Sequence, residues 1–279
     1  MNIGVRLHDT APGTLEARLG FARQQGFSCA HLALSKVLPD FSMNDAPRLL
    51  DDALARRVRS AFAAQRMDCA VLGCYLKLAT PDGAALERTR EIYRAHLRFA
   101  ARIGAKVVGT ETPAGPGLTV DIHSEAALEL FIDAVRPLVP CAEEAGVPLA
   151  IEPVASHIVN TPERMARVLD ALRSDSVRVI LDAVNLLTPE NCNEADAVIE
   201  EAIRRFGDRV SVLHMKDYAV EPGASGLRAC ACGTGGMAYD RLLRFALERD
   251  LPMTLENTNP GNAEAARLHL EGLAEGLKA

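Results

Sequence analysis

The chain contains no tryptophan, and aromatic residues make up only 4% of its 279 positions. Flat platforms on which nucleobases or long glycans could stack are therefore scarce. Basic charge is also short: 31 Lys and Arg stand against 37 Asp and Glu, a net charge of −6 with no cluster of one sign. A duplex-binding protein carries a basic stripe, so nucleic acid is excluded as the expected partner. No apolar run approaches the roughly 18 residues of a membrane span, so no membrane partner is expected either. The opening "MNIGVRLHDT" runs directly into a strand-like segment. It lacks the charged and then apolar profile of a secretory leader, and no such signal is expected.

Seven cysteines (Cys29, Cys69, Cys74, Cys141, Cys192, Cys230 and Cys232) form no CxxC pair, and their number is odd. Neither a disulfide framework nor a zinc ribbon follows, and most of these thiols are expected to be small buried hydrophobes in a reducing cytoplasm. The "CAC" at Cys230–Cys232 is the one place where a soft metal is conceivable.

What the chain does have is a recurring phrase. A helix-length stretch closes near Gly or Asp, and a short aliphatic run follows: "QQGFSCAHLAL", "QRMDCAVLGCYL", "RIGAKVVGTET", "EAGVPLAIEPV", "SDSVRVILDAV", "FGDRVSVLHMK" and "ERDLPMTLENT". With "NIGVRL" this gives eight strands. The intervening stretches, such as "LERTREIYRAHLRFAARIG", repeat apolar residues every three or four positions, as amphipathic helices do. Helix stops are expected at Gly26, Gly104, Gly146 and Gly207. In "NTPERM", Thr161 is expected to cap a helix whose first residue is Pro162.

The strands are apolar at nearly every position, the mark of a parallel sheet covered on both faces. No G-x-G-x-x-G follows the first strand, which removes the usual support for a dinucleotide fold. Eight strand–helix units in 279 residues suit a closed barrel. The expected fold is α/β, a (β/α)8 TIM barrel forming a single domain over residues 1–279.

In such a barrel the C-terminal strand ends share one face, where active sites lie. Strand five ends in Glu152, strand six in Asp182 and Asn185, strand seven in His214, Lys216 and Asp217, and strand eight in Glu256 and Asn257. Three carboxylates converging without a cation would repel one another. Oxygen ligands with one imidazole suit Mn²⁺, Mg²⁺ or Co²⁺, with Zn²⁺ also open. Lys216 and Asp217 are either substrate contacts or an ion pair with each other. His8, His31, Glu111 and His157 also fall near strand ends and are candidates for the rim of the site.

"AIEPV", "ILDAVN", "LHMKD", the loop "GTGG" at 233–236 and "TLEN" together resemble the xylose-isomerase-like TIM-barrel superfamily of sugar phosphate isomerases and epimerases. The resemblance spans essentially the whole chain. It implies one divalent metal ion, Mn²⁺ first, held by Glu152, Asp182, His214 and Glu256, with Glu152 and Glu256 as the acid/base pair. Glu111, His157, Asn185, Lys216 and Arg228 are then the candidate contacts to a small sugar or polyol. A homodimer or homotetramer is the assembly the resemblance implies.

Two departures narrow it. Ketose 3-epimerases usually carry His three positions after the strand-six aspartate, where this chain has Asn185, which cannot titrate. The endonuclease branch needs a trinuclear zinc cluster, yet no His follows His214 before His269. The expected activity is isomerisation or epimerisation of a keto-sugar through an enediolate. A lyase or dehydratase using the same site, or a non-catalytic sugar-binding barrel, stands as the alternative. "GTGG" is either a plain turn or a backbone cradle for a phosphate.

Overall fold

The computed structural model describes residues 1–221 and 226–277. The eight aliphatic runs form β1 (Ile3–Arg6), β2 (Cys29–Leu32), β3 (Asp68–Gly73), β4 (Val107–Glu111), β5 (Leu149–Glu152), β6 (Val177–Asp182) and β7 (Val210–Met215), and, last in the chain, β10 (Met253–Leu255). All pair in parallel with their sequence neighbours, and β1 closes the ring by pairing with both β2 and β10. The expected (β/α)8 barrel is thus the observed architecture.

Apolar residues on every position of a strand have two faces to cover. The outward side chains pack beneath the helices in one large core. A smaller cluster, including Cys29, Val71, Val107, Ile180 and Val212, fills the barrel interior. At the closing seam there is no room for a side chain: a Cβ on Gly4 would lie 2.4 Å from the Cys29 carbonyl oxygen.

Helix boundaries follow local chemistry. Thr161 caps the helix Pro162–Leu172 by accepting from the Arg164 amide, and Asp82 caps Gly83–Ile103 by accepting from Ala84 and Ala85. Gly104 ends that long helix in the left-handed conformation at φ 74°. Gly207 departs from its expected role. It stays right-handed at φ −58°, and the chain tightens into a 3₁₀ turn over Gly207–Arg209 instead.

One element was not expected. Between β7 and the next helix, β8 (Asp217–Val220) and β9 (Leu227–Cys230) form an antiparallel hairpin outside the barrel. Its strands, DYAV and LRAC, lack the buried aliphatic run that marks barrel strands. The cysteines are all free, five buried and two half-buried. In the "CAC" segment, burial pushes the Cys232 thiol up to about 12. Among the described residues, no helix is long and apolar enough to cross a membrane.

Candidate active site at the barrel mouth

The barrel register decides which polar residues meet. Asp182 at the end of β6 lies level with His214 on β7, and His214 lies level with Thr254, two residues before Glu256. Glu111 on β4 lies level with Glu152 on β5. Adjacent parallel strands therefore lift these side chains to one depth.

His214 is at the centre. Its Nδ1 lies 3.1 Å from Glu152 Oε2 and 3.2 Å from Glu256 Oε1, so the two glutamates share one nitrogen of a buried imidazole. Lys216 Nζ lies 2.9 Å from Asp182 Oδ2 and 3.3 Å from Glu256 Oε2. Asn185 connects the two halves: its amide donates to Glu152 Oε1 at 2.6 Å, and its oxygen accepts from Lys216 at 2.7 Å. Arg6, at the end of β1, reaches Glu256 at 3.4 Å and Asp9 at 2.9 Å.

Electrostatics follow from this packing. Burial pushes the Asp182 carboxyl up to about 6, with Lys216 opposing. Burial, then Glu152 and Glu256, push Glu111 up to about 7. Burial disfavours the His214 imidazolium, but Glu152 and Glu256 outweigh it and raise its pKa to about 9. Burial acts against the Glu256 carboxylate, yet His214, Lys216 and Arg6 hold its pKa well below the usual range.

The donor set suits a divalent cation. Neither ring nitrogen of the buried His214 makes a well-formed hydrogen bond, although its Nδ1 lies close to both glutamates, and Asp182 Oδ2 has only the Lys216 ammonium facing it. Donor atoms of Glu152, Asp182 and His214 all lie within 4.8 Å of one another, and so do those of His31, His214 and Glu256. Clustered buried carboxylates beside an imidazole without a hydrogen-bond partner are what a hard or borderline cation would satisfy.

The structure therefore brings Glu152, Asp182, Asn185, His214, Lys216 and Glu256 into one cluster. Glu111 and His157 form a looser pair at the rim, 3.7 Å apart. Arg228 lies elsewhere, on the exposed hairpin beside Glu221. Lys216 and Asp217 do not pair with each other. The Asp217 carboxylate instead accepts from the backbone N–H groups of Tyr218, Gly233, Gly235 and Met237 at 2.8–3.0 Å. The "GTGG" amides thus enclose a carboxylate of the chain itself.

Two site residues were underweighted in the sequence. Arg6 ends its strand as the acids end theirs, and examining the last residue of β1 would have found it. His31 is buried, stacks on His214 with ring centroids 5.3 Å apart, and has no hydrogen-bond partner at either nitrogen.

A closed parallel barrel whose mouth gathers three carboxylates, an imidazole and a lysine defines an (β/α)8 protein with a candidate metal centre. The family model for the xylose isomerase-like TIM barrel matches residues 19–275, and the chain belongs to that family. No curated protein matches it. Solved structures that resemble it include IolI protein with a bound zinc atom, at 18% identity and TM-score 0.71, over 100% of this chain and 95% of that one. A D-tagatose 3-epimerase-like protein aligns at 15% identity and TM-score 0.77, over 100% and 98%. The probable 3-DHS dehydratase AsbF from Bacillus anthracis aligns at 14% and 0.73, over 100% and 99%. At such identities the likeness is one of fold.

Proposed function

We propose that the protein is a divalent-metal-dependent isomerase or epimerase of a small keto-sugar or related polyol. The carrying observation is the convergence of Glu152 and Glu256, from non-adjacent strands, on one nitrogen of His214. Glu152, Asp182, His214 and Glu256 would hold the cation, with Mn²⁺ first and Mg²⁺, Co²⁺ or Zn²⁺ as substitutes. When bound, it supplies Lewis-acid stabilisation of the negative charge that develops on a carbonyl and its neighbouring hydroxyl.

The protein's own groups do the rest. Two carboxylates approaching from different sides can take a proton from one face of an α-carbon and return one to the other, which inverts that centre. Returned to the adjacent carbon, the proton completes an aldose–ketose exchange. The two glutamates are not equivalent. Asn185 fixes Glu152 with a neutral amide, whereas Arg6 and Lys216 set two cationic groups against Glu256. Once protonated, Glu256 therefore gives up its proton readily to an acceptor on the substrate. Lys216 and Asn185 at the floor and Glu111 and His157 at the rim are the contacts proposed for the sugar hydroxyls. Arg228, beside Glu221 on the hairpin, takes no part.

A lyase reading shares the first step. The AsbF likeness favours it, as do the titratable Glu111 and His157 at the rim, where a departing hydroxyl would need a proton. The test is elemental analysis of chelator-free protein, followed by incubation with a panel of keto-sugars in D₂O. Bound divalent metal, deuterium at the α-carbon and unchanged product skeleton mass support the isomerase. Loss of water from the product supports the lyase. Full exchange by Glu152→Gln and Glu256→Gln, or protein that neither contains nor takes up metal, would sink both.

A further inference from the structure

Beside the candidate site, a cavity of about 370 Å³ opens between the loops after β5 and β6 and the hairpin. Its volume is within the range of sites that enclose small organic ligands, which begin at about 300 Å³. Asn185 and Lys216 border it on the side of the carboxylate cluster. Val154, Leu187, Pro189 and Leu227 give it predominantly aliphatic walls. A molecule held at the cluster would therefore continue over Asn185 and Lys216 into this space.

The groups that could receive a phosphate there are already engaged. Lys216 is the one cation bordering the cavity among the described residues, and its Nζ lies 2.9 Å from Asp182 and 3.3 Å from Glu256. Leu227 and Ala229 line the cavity, and strand alternation turns Arg228, between them, to the opposite face, where Glu221 pairs with it. The "GTGG" amides of Gly233 and Gly235 are spent on Asp217. Glu190 in the cavity wall would repel an anion.

Resting on the proposed activity, we propose that this cavity is a subsite for an uncharged, largely apolar substituent of the sugar. The substrate is then a keto-sugar bearing an alkyl or aryl group, such as the aglycone of a glycoside, and not a sugar phosphate. Aliphatic walls gain by removing apolar surface from water, whereas a phosphate would lose its hydration with no free cation in return.

Binding tests the subsite separately from turnover. The full chain, as purified and again with added Mg²⁺, is titrated by NMR with phenyl β-D-glucopyranoside, methyl β-D-glucopyranoside and glucose 6-phosphate. The phenyl glycoside should bind about tenfold or more tightly than the methyl one, the gain expected from burying most of a ring. Glucose 6-phosphate should bind no better than the methyl glycoside. Ala229→Trp, which fills the cavity, and Leu227→Ala, which removes a wall, should each erase or shrink the phenyl advantage. Both positions lie on the hairpin outside the barrel, and circular dichroism of each variant checks that the fold is kept. Equal affinity for the two glycosides, no phenyl binding at all, preference for the phosphate, or a phenyl advantage that survives Ala229→Trp would each overturn the subsite. The deuterium assay judges the proposed activity independently: exchange into an unsubstituted keto-sugar without phenyl binding removes the subsite and leaves the reaction.

Discussion

The side-chain amide of Asn185 donates to Glu152 Oε1 at 2.6 Å while its oxygen accepts from Lys216 at 2.7 Å. Its backbone N–H donates to Asp182 Oδ1 at 3.1 Å. One residue thus fixes the orientation of two proposed ligands and of the lysine. Partners of this kind typically account for 10- to 100-fold in metal affinity or activity.

Asn185→Ala should accordingly weaken metal binding and slow α-proton exchange by roughly 10- to 100-fold, with little change in fold. A metal titration followed by the D₂O exchange assay measures both. Unchanged metal affinity in the variant would show that Asn185 does not orient Glu152.

Lys216 yields a second prediction. Its ammonium is buried against Asp182 and Glu256, and these carboxylates raise its pKa despite the opposing cost of burial. Lys216→Met leaves two buried carboxylates short of a partner, a loss of about 3–5 kcal/mol for a broken buried pair. Added Mn²⁺ should recover part of that loss by supplying charge to the same carboxylates. Urea unfolding of both proteins, with and without metal, gives the comparison. A metal-free variant as stable as the parent would remove the ion pair from the account.

The barrel was legible because each barrel strand is apolar on both faces, so "VRVILD" and "VSVLHM" mark strands without knowledge of their neighbours. The metal candidates were legible for a related reason: Glu152, Asp182, His214 and Glu256 each stand where such a run ends. The roles of Lys216, Asp217 and Asn185 were not, since each depends on partners distant in sequence. Asp217 bonds to amides as far along the chain as Met237, and Asn185 meets Glu152 across 33 positions. The hairpin escaped because Asp217–Val220 and Leu227–Cys230 are partly exposed, with no two-faced apolar signature. Arg6 escaped because an arginine at a strand end is ordinary until Glu256 is found beside it.

Asp217 is the tie between the hairpin and the "GTGG" loop. Its buried carboxylate accepts four backbone N–H bonds, from Tyr218, Gly233, Gly235 and Met237. Asp217→Ala strips these amides of their acceptor, at about 1–3 kcal/mol for each one left buried and unpaired. Gly235→Ala should mimic it, because a Cβ there would lie 2.2 Å from the Tyr218 carbonyl oxygen. Hydrogen exchange should show lost protection at Tyr218–Val220 and Gly233–Met237, with β3 to β6 unchanged. Uniform loss across the barrel strands would instead mean that Asp217 supports the whole fold.

His96 supplies a pH dependence remote from the metal candidates. It lies fully buried on the helix Gly83–Ile103, with Nδ1 2.9 Å from the Ile92 carbonyl oxygen and no partner at Nε2. Burial lowers its pKa from 6.5 to about 4, and the Ile92 carbonyl only partly opposes this. The unfolded chain therefore binds a proton that the folded one refuses. The stability associated with neutral His96 is complete above about pH 6.5 and is lost as the pH falls toward 4. Between pH 7.5 and 4.5 this should cost the parent about 2–3 kcal/mol that His96→Leu does not lose. Subtracting the variant's pH–stability curve from the parent's isolates the histidine from every carboxylate that titrates in the same window. Parallel curves from pH 7.5 to 4.5 would mean that His96 accepts its proton without unfolding.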